Sequence, residues 1–261
     1  MKARSIATLN QLPEDEKKTI YSRFVPQEIL EKFNLSPNFI DDQGNELLRL
    51  KCKPGSTDVI FDLRNAVGAE DPLLYAHLTD TMNGQIHVLL YIVNDPNSPR
   101  FDVDKMPDGT PTEFGIFRRN LNAEVAALEA GLTPGQVRRG LRMLSNAVAA
   151  FEDFVAYLGH DVYFIDPLAY HNAIVFERYG FNYQQGRRRM ERIHHGFSAD
   201  GEFIPLLDGS SPFRQPQFAG SIRGRSWAIH DCILGEPYTD IVMYKTLGVH
   251  SGVNTFPDSE W

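Results

Sequence analysis

The chain has 261 residues, 42% hydrophobic and 23% charged, a balance that supports a buried core and excludes a wholly disordered polymer. Its 26 basic and 34 acidic residues leave a net charge of −8, which argues against nucleic-acid binding and against binding to an anionic membrane surface. The longest apolar run, 88–93, is far below the ~20 residues a membrane helix needs. Two cysteines far apart, Cys52 and Cys232, form neither a zinc pattern nor a disulfide framework, so a reducing cytoplasm is the expected location. No apolar segment of a secretion signal opens the chain.

Residues 14–33 carry helical spacing through Ile20, Phe24, Ile29, Leu30 and Phe33, with Pro26 starting a second piece after a bend. We read 1–46 as a helical extension ahead of the main domain, 47–261. A strand follows at 47–52, ended by Pro54-Gly55-Ser56, while 58–63 suits strand or helix equally. The runs 73–80 and 85–94 flank Thr81-Met82-Asn83-Gly84, and Asn-Gly between β-rich segments predicts an antiparallel hairpin. The Pro-, Asp- and Gly-rich stretch 95–112 is a long loop. A short strand at 113–117 and a helix at 121–130, stopped by Gly131, come next.

Thr133-Pro134-Gly135-Gln136 has the form of a capping box, with Thr at the cap, Pro at the first helical position and Gln two residues further on. Val137, Leu141, Leu144, Val148, Phe151, Val155 and Leu158 then recur at spacings of three and four, which predicts one long helix over 133–158 ended by Gly159. A strand at 162–165 leads into 166–181, Asp-Pro-Leu-Ala-Tyr-His-Asn-Ala-Ile-Val-Phe-Glu-Arg-Tyr-Gly-Phe. Here Asp166 and Pro167 suit a helix start, and Gly180 suits a left-handed stop in which Phe176 and Phe181 touch. Strands are expected at 183–193 and 239–247, with a loop-rich insertion at 196–237 between them.

The order of helix, strand and capped helix, with Asn172, Ala173, Ile174, Glu177, Arg178, Gly180 and Phe181, resembles the second half of the GNAT acetyltransferase superfamily. The run Thr239-Asp-Ile-Val-Met-Tyr-Lys-Thr-Leu247 resembles that fold's closing strand. The resemblance implies an α/β fold with a central mixed β-sheet flanked by helices. It further implies an acyl-CoA-dependent N-acyltransferase, with acetyl-CoA or another acyl-CoA as co-substrate and a small-molecule or peptide amine as acceptor.

In that family the pyrophosphate sits on backbone N–H groups at the start of the long helix, where unpaired donors and the positive end of the helix dipole meet. The corresponding stretch contains Gln136, Arg138, Arg139 and Gly140, but lacks the second small residue of the family pattern. Asn172 and Phe176 lie where the following helix meets the acyl donor, and Phe176 occupies the register of the usual tyrosine acid. Tyr179 and Glu113 are therefore the candidate catalytic acid and base.

The insertion has two opposed readings. As a lid over the acceptor it offers Arg225, Trp227 and His230 for an anionic or aromatic group. As a structural arm, its Phe213, Phe218 and Trp227 suit packing on the same subunit or in a homodimer. No metal site is expected, since the histidines lack ligand spacing and His194 and His195, read as strand neighbours, point apart. A GNAT-like module that binds another ligand or partner without acyl transfer is the main alternative, and a metal-dependent hydrolase a distant one.

Overall fold

The computed structural model describes residues 4–112, 118–257 and 259–261. The expected strand at 113–117, with the candidate base Glu113, lies outside them. The N-terminal part forms α1 (Ile6–Leu9), α2 (Glu14–Tyr21), α3 (Gln27–Lys32), β1 (Leu48–Lys51), β2 (Asp58–Leu63), β3 (Leu74–Asp80) and β4 (Ile86–Val93). There follow α4 (Leu121–Glu129), α5 (Leu144–Leu158), β5 (Val162–Ile165), α6 (Tyr170–Arg178), β6 (Asn182–Gln185), α7 (Arg187–Gly196), α8 (Ile222–His230) and β7 (Val242–Thr246). The fold is α/β, with a mixed sheet.

Two compact units divide the chain. The first comprises Met1–Asn97, Gly140–Asp166 and Tyr244–His250. In it β1 to β4 are antiparallel in sequence order, while β5 runs parallel to β4. The hairpin of β3 and β4 turns through Gly84 at φ 73°, with Thr81 and Gln85 closing it, as the Asn-Gly pair predicts. Leu89 is an extra residue on β4, because His77 pairs with Leu90 and Leu78 with Val88. Strand β5 meets β4 only at His87 with Phe164 and Val88 with Ile165, so β4 continues past that point to Val93 without it.

Residues 1–46 fall inside this unit. Tyr21 and Phe24 are fully buried, and Phe24 lies 4.8 Å from Phe61 and 5.3 Å from Phe154 between ring centroids. The helices bend where expected, with Pro26 capping α3. Helix α1 is only four residues long and is anchored by Asp80, whose carboxylate accepts the N–H groups of Ile6 and Ala7 at 2.7 and 2.9 Å.

The long helix is shorter than its periodicity predicts. Gly135 at φ 80° and Arg142 at φ 58° break the backbone, and α5 begins only at Leu144. The capping box is half made: Gln136 Oε1 accepts the Thr133 N–H at 2.8 Å, but Thr133 Oγ1 bonds His171 instead of the backbone. The turn closes without propagating a helix. From Phe151 onward the expected apolar face is correct, with Phe151, Val155 and Leu158 buried.

The second unit comprises Ser98–Arg139, Pro167–Met243 and Ser251–Trp261. Helix α6 starts at Tyr170, later than expected, because Asp166 does not cap it; Asp166 Oδ1 meets His87 Nε2 at 2.8 Å in the first unit. Its end matches the sequence reading. Gly180 at φ 82° donates to Glu177 O, Phe181 donates to Phe176 O, and the two phenylalanine rings lie 5.1 Å apart. Replacing Gly180 with Ala is expected to lower stability by about 1 kcal/mol, since a β-carbon is disfavoured at this left-handed position. Thermal unfolding measures it, and an unchanged midpoint would mean that the helix does not depend on this stop.

The expected strand at 183–193 is strand only as far as Gln185 and helix from Arg187 onward. Gly186, at φ 94° and with no room for a β-carbon against Ile241 and the Asp240 carbonyl, turns the chain into α7. Met190, Ile193 and Phe197 form its buried face at helical spacing. His194 and His195 thus end a helix and are not strand neighbours. The insertion contains α8, in which all but Arg223 and His230 are buried.

Candidate functional site

The residues expected to hold an acyl-CoA are largely engaged elsewhere. Arg138 donates to Ser98 O, and Arg139 donates to Ala130 O at 2.7 Å while its N–H meets Ser98 Oγ. Both arginines therefore brace a loop, and neither stands at a helix start. Gln136 closes the Thr133 turn. Gly140 bridges to Asn94 just past β4, and a β-carbon on it would sit 3.2 Å from Val93 O, so close backbone passage explains the glycine. Asn172 lies in the first turn of α6, Phe176 makes the stop contact with Phe181, and Tyr179 is the half-buried C-cap.

At the true start of the long helix, Met143 supplies no side-chain cap, leaving the first-turn N–H groups of α5 without that satisfaction. The exposed Arg142 directly precedes it. This helix start and the β4 segment beyond the β5 pairing belong to the same unit.

In the second unit α8 organises a polar network that the sequence reading only partly anticipated. His230 Nε2 lies 3.0 Å from Glu124 Oε1 on α4, and Arg119 binds Glu124 Oε2 through Nε and Nη2 at 2.9 and 2.6 Å. Arg119 Nη1 also donates to Asp231 Oδ1 at 2.7 Å, and Arg214 Nε and Ser211 Oγ donate to Asp231 Oδ2 at 2.9 and 2.8 Å. Burial pushes the Glu124 carboxyl up, but hydrogen bonds from His230 and Arg119 outweigh it and hold the group below its ordinary range. The same balance lowers Asp231, where bonds from Arg119, Ser211 and Arg214 overcome burial.

Glu124 thus orients the His230 ring through Nε2. Glu124 was missed by sequence reasoning because a lone glutamate on an apolar helix reads as a solvated residue, yet it is 2% exposed.

Trp227 is not a ligand contact. It is fully buried, stacks on Phe213 at 5.1 Å, and donates from Nε1 to Leu132 O at 2.9 Å. Its position corrects the lid reading at this residue and favours the structural arm. Behind it, His171 joins Thr133 Oγ1 at 2.9 Å and Ser226 Oγ at 2.8 Å, and burial lowers its pKa to about 3, so it is neutral. Arg225 is buried and bonds Ala219 O and His194. Among the described residues no three His, Cys, Asp or Glu side chains gather as a metal site, and no helix is long and apolar enough to cross a membrane. No protein-family model, curated protein or solved structure matches the chain.

Proposed function

We propose that the chain is an acyl-CoA-dependent N-acyltransferase of the GNAT type, acting in the cytoplasm on an amine of a small molecule or peptide. The observation that carries this reading is that β5 stops at Ile165, its second residue pair with β4, while β4 runs on to Val93, in the unit where α5 starts without a side-chain cap. Such a helix start suits a pyrophosphate, because its N–H groups are unpaired and the dipole favours negative charge. Arg142 then takes the cationic part first assigned to Arg138 and Arg139, whose guanidinium groups are turned to loop carbonyls. Two free cysteines agree with a reducing compartment.

Calorimetric titration with acetyl-CoA is expected to give saturable heat. Arg142→Glu should weaken binding by about 1–3 kcal/mol through loss of a charge-assisted contact. No heat and no thermal shift at millimolar concentrations of acetyl-CoA would reject this reading. It would favour a GNAT-like module that binds another ligand or a partner. Phe176 gives that second reading its footing, because it has no proton to donate where the family's tyrosine would stand.

A further inference from the structure

Acyl transfer to an amine needs a group that accepts the amine's proton. Glu113, the base expected from sequence, lies outside the described residues. The first unit brings a different pair together where β5 ends beside β4. His87 on β4 pairs with Phe164, and Asp166 is the first residue past β5. The Asp166 N–H donates to Val88 O at 3.1 Å, and its Oδ1 lies 2.8 Å from His87 Nε2. The His87 and Phe164 rings meet edge to face at 6.2 Å between centroids, so the imidazole is held by a carboxylate and by an aromatic neighbour. The two side chains are 20% and 29% exposed, which leaves the pair open to molecules from solution. His87 Nδ1 makes no hydrogen bond among the described residues.

Alternation puts His87 and Phe164 on one face of the sheet, and Val88 and Ile165 on the other. The second face is the one α5 covers, since Phe151 lies 5.0 Å from Tyr163 between ring centroids. His77 on β3 makes a similar pair with Asp58 of β2 at 2.6 Å. It lies two residues from Thr79, the partner of His87, and so shares the His87 face, but β4 separates it from β5.

We propose that His87 is the general base of the acyl transfer and that Asp166 is its positioning residue, an assignment that rests on the acyl-CoA reading above. The donor anchored at the start of α5 and the acceptor then approach the end of β5 from opposite faces. In the neutral ring a proton shared between Nε2 and the carboxylate leaves the lone pair on Nδ1. The acceptor nitrogen attacks the thioester carbonyl carbon and gives its proton to Nδ1. The C–S bond breaks with its electron pair on sulfur, and the imidazolium, held by Asp166, passes the proton to the thiolate. An amide and a free thiol result.

The test measures thiol released from acetyl-CoA by the full chain, with spermidine, 2-phenylethylamine, a lysine-bearing peptide or water alone as acceptor. Calorimetric titration of acetyl-CoA runs beside it. His87→Gln is expected to bind acetyl-CoA as the wild type does and to lose about 100-fold or more in kcat. Imidazole added to His87→Ala should restore part of the rate, which it would not do for a side chain that only packs. Asp166→Asn should lower kcat and leave KM for acetyl-CoA unchanged, and His77→Gln should keep the wild-type rate. An undiminished rate in His87→Gln, or thiol release by the wild type no faster than in buffer, would overturn the assignment while acetyl-CoA binding stands. No binding of acetyl-CoA to the wild type would reject the acyl-CoA reading and the assignment with it.

Discussion

Trp227→Ala is expected to cost about 3–5 kcal/mol of unfolding free energy, the range for removing a large aromatic side chain from a packed core. The indole is fully buried in a cluster with Val103, Ala127, Leu132 and Phe213, and its N–H pairs with the Leu132 carbonyl. Truncation would therefore leave both a cavity and an unpaired carbonyl. Chemical denaturation measures the loss through a lower midpoint at unchanged slope. Trp227→Phe should fall between the two, since it keeps the stack on Phe213 but loses the hydrogen bond. If Trp227→Ala unfolds at the wild-type denaturant concentration, α8 is a detachable segment and the core described for the second unit is wrong.

Stability is expected to fall steeply in acid, beginning below pH ~6.5, and His171 is the main reason. Its pKa is about 3 in the folded chain against an ordinary 6.5, because burial opposes the charged ring. Below pH 6.5 the unfolded chain binds a proton that the folded one refuses, so its contribution is fully present above 6.5 and is lost as pH falls towards 3. The slope is about 1.4 kcal/mol per pH unit, or about 2 kcal/mol lost by pH 5. Glu124 and Asp231, both held below their ordinary values, add loss of the same sign below about pH 4.5. Unfolding free energies at pH 7, 6 and 5 should show this trend, and His171→Gln should flatten it despite lower stability at pH 7. An equal slope in that variant would mean that His171 is solvated or already protonated in the folded chain.

Features specified over a few neighbouring residues were legible in the sequence. Asn83-Gly84 marked the hairpin, and Gly180 flanked by Phe176 and Phe181 marked a helix stop whose hydrogen bonds all lie within one turn. Pro26 placed the bend between the early helices. Each depends on backbone angles that only Gly, Asn or Pro adopts cheaply.

The failures share a different cause, which is competition from distant partners. Asp166 reads as a cap, but His87 from another strand takes its carboxylate. Thr133 reads as a cap, but His171 takes its hydroxyl. The basic stretch after β6 reads as a strand until Gly186, pressed against Ile241, redirects it into α7.

The candidate sites divide in the same way. His230 drew notice as a polar residue in a long connection, but its partner Glu124 is 106 positions away and carries no local signal. The sequence by itself determined an α/β chain with a capped Gly-Phe helix, because turn geometry and side-chain periodicity are local properties. Only the tertiary structure decided that Trp227 is core, that Glu124 is buried against Arg119 and His230, and that the long helix begins at Leu144. Those outcomes depend on which distant groups satisfy buried charge and hydrogen-bonding demand, a long-range balance that no single stretch of sequence contains.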